Sequence, residues 1–421
     1  MYGISGSLIG KGRKVKGNSI CLPSDALAGQ ELDMGQIPYF DPIEADVDGH
    51  GLRLAISGKE RLALLLDLIA GAQSTLRLCF YIFGDDKVAA QVREALMSAR
   101  LRGVRVWLLV DGFGSANWPD SLFQPLIDAG IHFGRFNPRW GRGYLLRNHQ
   151  KIVIADESRA IVGGSNVLAD YYADDPGGGS WHDLSLRIDG PAAARLARYF
   201  DGLRRWTVSE RPTLRMLLHL LSRRSDKSGA LRWLYNGPFS RLSPLTLSLR
   251  RDIAAAKQLD MVQAYFAPNW GMLRRLADVE RHGGEMRLIS AARSDNMATV
   301  SAARHCYRRL LRNRVRIYEY LPQRLHFKLI VADDAVYVGS ANFDMRSLYI
   351  NGEVMVRVED SGFAGKVRRL VSAHIPYCDE ITSAEHRARS TWFARFRWLL
   401  AYFIVSTVDF TVTRSISLRR R

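Results

Sequence analysis

The chain has 421 residues, 47% of them hydrophobic, and a formal net charge of +18. That length and apolar content can bury substantial cores, and the charge requires an acidic partner, either nucleic acid or an anionic membrane surface. Four scattered cysteines, Cys21, Cys79, Cys306 and Cys378, lack the spacing of a disulfide framework or a zinc site, so a reducing compartment is expected, with no metal and no cofactor.

Residues 1–50 carry Gly, Pro and polar residues without sustained periodicity and read as a poorly ordered leader; no apolar signal segment follows the basic cluster at 11–16. A first α/β unit is expected over residues 51–207, with strand-like 76–83, helical 86–102 and strand-like 104–110 ahead of His149-Gln-Lys151-Ile-Val-Ile, Asp156 and Gly163-Gly-Ser165-Asn166. Residues 208–245 form a basic and apolar connection. In a second unit, residues 246–380, the same order recurs: strand 259–266, helix 270–282, strand 286–289, then His326-Phe-Lys328-Leu-Ile-Val, Asp333 and Gly339-Ser340-Ala-Asn342. Alternating β and α segments predict an α/β fold of two similar halves, with mixed, largely parallel sheets flanked by helices. A pseudo-two-fold active site is expected between them.

Residues 381–421 close the chain as a basic aromatic segment. From Arg387 to Arg421 there are eight Arg against the single Asp409, interleaved with Trp392, Phe393, Phe396, Trp398, Leu399 and Leu400. Arg beside Trp, Phe and Leu at near-helical spacing fits a helix lying in a membrane interface; a helix packed on the protein core is the alternative. Residues 204–251, with Leu214, Met216, Leu217 and Leu221 among eleven basic and two acidic residues, show the same mixture. The apolar run 398–408 has 11 residues, short of the ~20 that span a bilayer. Attachment is therefore expected to be peripheral.

His-x-Lys-x4-Asp thus occurs twice, as His149, Lys151, Asp156 and as His326, Lys328, Asp333. On an alternating stretch, His and Lys at i and i+2 project from one face and can reach one ligand. Only 10 of the 60 basic residues are Lys, yet both motifs carry one, and a compact ammonium suits a point contact to a phosphate oxygen. With Ser165, Asn166, Ser340 and Asn342 as polar turn groups expected to bind the substrate phosphate, the inventory suits phosphoryl or phosphatidyl transfer by covalent catalysis. One His attacks phosphorus; the other, held protonated, donates to the departing oxygen and later deprotonates the acceptor. The residues alone leave open which is which. Asp183 and Glu353, each near the start of an alternating apolar run, are the candidates to fix the histidines' other ring nitrogens. Asp156 and Asp333 belong to the signature, but their place at a strand end favours capping or salt bridging over chemistry.

The duplicated signature resembles the phospholipase D superfamily, and its flanks resemble the bacterial cardiolipin synthases, closest to the B type. The likeness covers about residues 52–375, including Phe80-Tyr-Ile-Phe-Gly-Asp-Asp86, residues 103–115 and Trp181-His-Asp183. The resemblance implies a phospholipase D-like fold and makes His149 the nucleophile and His326 the acid and then base. It implies cardiolipin synthesis from two phosphatidylglycerol molecules through a phosphatidyl-histidine; a peripheral place on the bacterial inner membrane is expected, with the cytoplasmic face fitting the cysteine usage. The rivals are a hydrolytic phospholipase D, a nuclease using the same motif, and a catalytically silent membrane-binding protein. Basic clusters rich in Leu, Phe and Trp favour lipid over nucleic acid as partner. One mismatch stands out: Asp333 to Gly339 is one residue shorter than Asp156 to Gly163.

Overall fold

A computed structural model describes residues 38–136, 146–175, 179–237 and 243–407, all within a compact unit spanning Met34–Arg421. The first half supplies β1 (Ile43–Val47), β2 (His50–Ala55), β3 (Thr75–Phe80), β4 (Arg105–Asp111), β5 (His132–Phe136), β6 (Ile152–Ala155), β7 (Arg159–Gly163), β8 (Trp181–His182) and β9 (Ser185–Asp189). The second supplies β10 (Leu231–Asn236), β11 (Gln258–Gln263), β12 (Phe266–Ala267), β13 (Glu285–Ala291), β14 (Arg316–Tyr320), β15 (Arg324–Leu325), β16 (Lys328–Ala332), β17 (Ala335–Gly339), β18 (Phe343–Asp344), β19 (Glu353–Glu359) and β20 (Cys378–Glu380). Among the described residues two eight-stranded sheets form, ordered β1-β2-β9-β7-β6-β3-β4-β5 and β10-β19-β17-β16-β11-β13-β14-β20. From β2 and β10 onward, the orders match strand for strand up to β5 and β14.

Both faces of the central strands are buried, and the alternation decides what each face meets. Ile152 and Ile154 of β6 share a core with Leu329 and Val331 of β16, so the sheets pack face to face. Val153 and Ala155 turn outward under Leu65, Leu68, Val92 and Leu96 of the first half's helices. Ile330 and Ala332 do the same beneath Leu273, Leu276 and Leu310. The result is a helix–sheet–sheet–helix sandwich with the motif strands in its two middle layers.

The sheets are mixed, as expected, but mainly antiparallel rather than parallel. Only β3-β4-β5 and β11-β13-β14 run parallel. The reason lies in the motif aspartates. Residues 156–158 and 333–334 are tight turns joining β6 to β7 and β16 to β17 as hairpins, with Asp156 at φ 52°, Glu157 at 59° and Asp333 at 46°. Asp tolerates this left-handed conformation better than most residues. The turns differ by one residue, which accounts for the shorter spacing in the second motif. Strand ends Gly163 and Gly339 are therefore equivalent, each crowded so closely by a neighbouring backbone carbonyl, Leu184 and Val354 respectively, that a Cβ would collide.

Asp156 and Asp333 close these turns rather than facing the histidines. Asp156 accepts from the backbone N–H groups of Gln73, Ser74 and Thr75 at 2.9, 2.7 and 3.0 Å and from Arg159. Asp333 accepts from the N–H groups of Lys257 and Gln258 at 3.0 and 2.9 Å.

Three boundaries move. Residues 43–50, expected in the leader, form the β1–β2 hairpin around a left-handed Asp48-Gly49 turn; residues 1–37 lie outside the described residues. The expected connection 208–245 contains helix Leu214–Arg224, whose Leu217 and Leu221 are buried in the shared core, and the edge strand β10. Within 381–421, helix Trp392–Thr407 packs Trp398, Ala401 and Val405 inward, and the Tyr402 hydroxyl donates to the Pro268 carbonyl at 2.7 Å. Its other side stays exposed and apolar; residues 408–421 lie outside the described residues. No described helix is long and apolar enough to cross a membrane.

Burial opposes ionisation of Asp156, but its backbone donors outweigh burial and hold its pKa at about 2, below the unfolded value of about 4. Its stabilising contribution is therefore complete above pH ~4 and fades as pH falls toward 2. Asp156→Ala is expected to cost about 1–3 kcal/mol and to flatten that acid limb in thermal melts between pH 2.5 and 6. The folded fraction should keep its specific activity. A variant as stable as the parent but inactive would return this aspartate to the chemistry.

Candidate active site

His149 and His326 lie in extended segments just before β6 and β16, whose ladders begin at Ile152 and Lys328 rather than at the histidines. Each backbone is pinned by the opposite half. The His149 N–H donates to the Gly352 carbonyl at 2.9 Å, and the His326 N–H to the His182 carbonyl at 2.7 Å. Asp111, at the end of β4, accepts the Asn148 N–H at 2.7 Å and so fixes the residue before His149.

The rings are crossed in the same way. His149 Nδ1 lies 3.1 Å from Oε1 of Glu353, with the Ser340 carbonyl at 3.2 Å, while His326 Nδ1 lies 2.7 Å from Oδ2 of Asp183. All these partners are acceptors, so Nδ1 carries the hydrogen in both rings and the Nε2 lone pair is left for a ligand. Asp183 and Glu353 were expected to orient the histidines, and the structure does bring all four together. Each carboxylate serves the histidine of the other half, so the pairs exchange across the interface.

The turn residues divide. Ser340 donates to Glu353, and Ser165 donates to Asp183 at 3.2 Å. Both hydroxyls thus serve the carboxylates, where the sequence suggested direct phosphate contacts. Asn166 accepts the Ile82 N–H at 3.1 Å through Oδ1, which leaves its amide nitrogen for a ligand. Asn342 is buried with Oδ1 unpartnered.

Lys151 and Lys328 are buried, each donating to its own histidine's carbonyl at 2.6 Å. Burial pulls their pKa values down, to about 7 and about 8 respectively. Burial likewise lowers both histidines, with the adjacent lysine adding to it, and His326 falls to about 3. These shifts favour the neutral form of both imidazoles. Burial also works to raise Glu353 and Asp183, but His149 and His326 and the lysines outweigh it and keep both ionised. An entering phosphodiester would reverse the balance, since its negative charge favours protonated Lys and His.

Aromatic rings wall the site. Tyr81 meets His149 edge-on at 4.9 Å, and Tyr171 and Trp181 meet His326 at 5.1 and 5.2 Å. Tyr265, two residues beyond β11, stands 6.4 Å from His326. Sequence reading passed over Tyr171 and the buried Arg61, whose guanidinium donates to Ser165 Oγ at 2.7 Å; Tyr81, Trp181 and Tyr265 stood within segments already noted. No spacing rule marks Arg61.

A family model described as cardiolipin synthase, PLD-like domain, matches residues 65–203 and 249–375. Cardiolipin synthase A of Pseudomonas aeruginosa (strain LESB58) is 29% identical over 346 residues, covering 80% of this chain and 69% of that protein. Its counterpart in Pseudomonas fluorescens (strain SBW25) is 29% identical over 343 residues, covering 80% and 71%. Among solved structures, phosphatidylserine synthase of Haemophilus influenzae Rd KW20 superposes with a TM-score of 0.66 at 13% identity, covering 85% of this chain and 95% of that one. Polyphosphate kinase of Porphyromonas gingivalis gives 0.54 at 16% identity, covering 84% and 53%. These two likenesses concern the fold. The relatives named are of the A type, so the expected leaning to the B type is not decided by them. The family match covers more than half of the chain, in two blocks that follow its two halves, and this protein belongs to the cardiolipin synthase, PLD-like domain family.

Proposed function

We propose that the chain is a membrane-associated phosphatidyltransferase that makes cardiolipin and glycerol from two phosphatidylglycerol molecules. The observation that carries this reading is the pair of histidines, each with Nδ1–H held by a carboxylate and Nε2 free, beside two buried lysines. His149 Nε2 attacks phosphorus, forming an N–P bond as the P–O bond to glycerol breaks. Protonated His326 gives its proton to that oxygen, and glycerol leaves. Neutral His326 then takes the proton from a glycerol hydroxyl of the second lipid, whose oxygen bonds to phosphorus as the N–P bond breaks. The lysines and the Asn166 amide offset the charge that grows on the phosphoryl oxygens.

Incubating the purified protein with labelled phosphatidylglycerol, and in parallel with DNA, tests the substrate class; release of cardiolipin and glycerol supports the reading, and cleavage of DNA alone overturns it. His149→Ala should abolish turnover. His326→Ala should lose roughly 100-fold or more and accumulate a phosphatidyl adduct visible by intact-mass spectrometry. An adduct found on the His149→Ala protein instead would exchange the two roles.

The crossed carboxylates sharpen this. Glu353→Gln should suppress adduct formation, because it disturbs His149. Asp183→Asn should behave like the His326 variant, slowing turnover while the adduct persists. Reversed phenotypes, read by the same mass measurement, would mean that the pairing in solution follows the chain halves.

Helix Trp392–Thr407 is the proposed contact with an anionic bilayer. Trp392, Phe393, Phe396, Leu399, Leu400 and Phe403 line one exposed face, Trp392 at 80% and Phe396 at 58% exposure. Exposed Arg387, Arg389, Arg395 and Arg397 accompany them, each worth ~1 kcal/mol near anionic lipid. Underneath, Val405 packs on Ala267 of β12, the strand that directly follows Tyr265 at the site. An apolar face rimmed by arginine matches a lipid surface better than water. Phe396→Ser with Phe403→Ser should weaken sedimentation with phosphatidylglycerol-containing vesicles about tenfold per side chain. Melting temperature and activity on detergent-dispersed lipid should change little. Unchanged vesicle binding overturns the contact, and a concentration-dependent dimer lost in the variant would assign the face to a second copy of the chain.

A further inference from the structure

Arg61 sits on helix Gly58–Ala70, outside both motifs, and is 1% exposed. Its guanidinium is fully engaged: Nε donates to the Ile56 carbonyl at 3.0 Å, Nη2 to the Trp181 carbonyl at 3.2 Å and Nη1 to Ser165 Oγ at 2.7 Å. Ser165 passes the contact on, donating to Asp183 Oδ2 at 3.2 Å, the same oxygen that accepts from His326 Nδ1 at 2.7 Å. A permanent cation is thereby wired through one hydroxyl to the carboxylate behind one histidine.

This wiring is not repeated through the equivalent position of the second half. With Gly163 and Gly339 in register, Gly164 corresponds to Ser340 and Ser165 to Ala341. Ser340 reaches Glu353 from one position earlier, where a Cβ on Gly164 would press against the Asp183 carboxylate at 2.6 Å. Ala341 has no oxygen to link an arginine to Glu353.

We propose that Arg61 is a positioning residue that sets the polarity of the site, drawing on Asp183 through Ser165 so that His326 becomes the weaker base and hence the stronger acid of the two histidines. With the Arg61 cation one hydroxyl away, Asp183 gives less stabilisation to an imidazolium than it would without that charge. A stronger acid is what protonation of a departing glycerol oxygen needs, and the more basic His149 is the better nucleophile. Arg61 is buried with Asp183 as the largest opposite charge acting on it, and Arg61 is in turn among the cations that hold Asp183 ionised against its burial. The groups facing His326 are Asp183, Lys328, Lys151, Tyr171 and Tyr265; all remain in place when Arg61 alone is changed.

The catalytic consequence rests on the two-histidine reading, but the electrostatics do not, so the test reads proton binding rather than turnover. Nitrogen-15 histidine spectra of the full chain, assigned by single His→Gln variants, follow His149 and His326 against pH. In the parent protein, His326 should protonate at lower pH than His149, or not at all before unfolding. Arg61→Gln should raise the His326 midpoint by roughly one unit and leave His149 unmoved. Arg61→Lys, which keeps the charge, should leave both midpoints near the parent values despite a lower melting temperature. The proposal falls if His326 protonates at or above His149 in the parent, an outcome readable even if neither variant folds. It also falls if Arg61→Gln leaves His326 unshifted or moves both histidines equally. A chain that shows the expected titrations but no activity on phosphatidylglycerol would fail the functional reading and keep this one.

Discussion

Each motif histidine takes its carboxylate from the other half of the chain, and most of what surrounds the site follows from that exchange. Neither half contains a complete dyad, so the constellation exists only where the two sheets are held face to face. The shared core of Ile152, Ile154, Leu329 and Val331 is therefore also the frame that sets the distances of 3.1 and 2.7 Å at the rings. Backbone bonds from His149 to Gly352 and from His326 to His182 repeat the exchange one layer down. A histidine whose Nδ1–H is held by a buried acceptor has one tautomer and one ring orientation, which is the preorganisation that an attacking Nε2 requires.

Much of this was legible in the sequence because the same pattern is written twice. The motif residues, the order of strands and helices in each half and the two orienting carboxylates all stand at repeated positions. The pairing was hidden, since chain order puts Asp183 nearer His149 than His326 and says nothing about which sheet faces which. Mainly antiparallel sheets were hidden for another reason: the turn signal is present in Asp156-Glu-Ser and Asp333-Asp, but an aspartate at a strand end reads equally as a cap or an ion-pair partner, without fixing the direction of the next strand. Arg61 is one of 50 arginines in the chain. Only burial and three hydrogen bonds separate it from the rest, and neither is a property of sequence spacing.

The electrostatics suit the site to an anion. Two lysines, Arg61 and two carboxylates are all buried, and the neutral imidazoles are favoured first by their own burial and then by the positive charge of Lys151 and Lys328, which together outweigh the carboxylates. With both lysines protonated the cations exceed the anions by one. A phosphodiester brings the missing negative charge, so the ligand that completes the charge balance is also the one that favours protons on the lysines and the imidazoles.

Duplication by itself would produce two equal histidines, yet transfer through a covalent intermediate needs one nucleophile and one acid. The structural differences between the halves fall where that distinction can be made. The extra residue in the first hairpin turn is absorbed far from the rings and leaves Gly163 and Gly339 in register. The exchange of Gly164-Ser165 for Ser340-Ala341 instead touches both carboxylates, and it admits an arginine behind only that serine. A symmetric frame with one asymmetric hydroxyl thus separates the proton affinities of two rings that the fold otherwise presents alike.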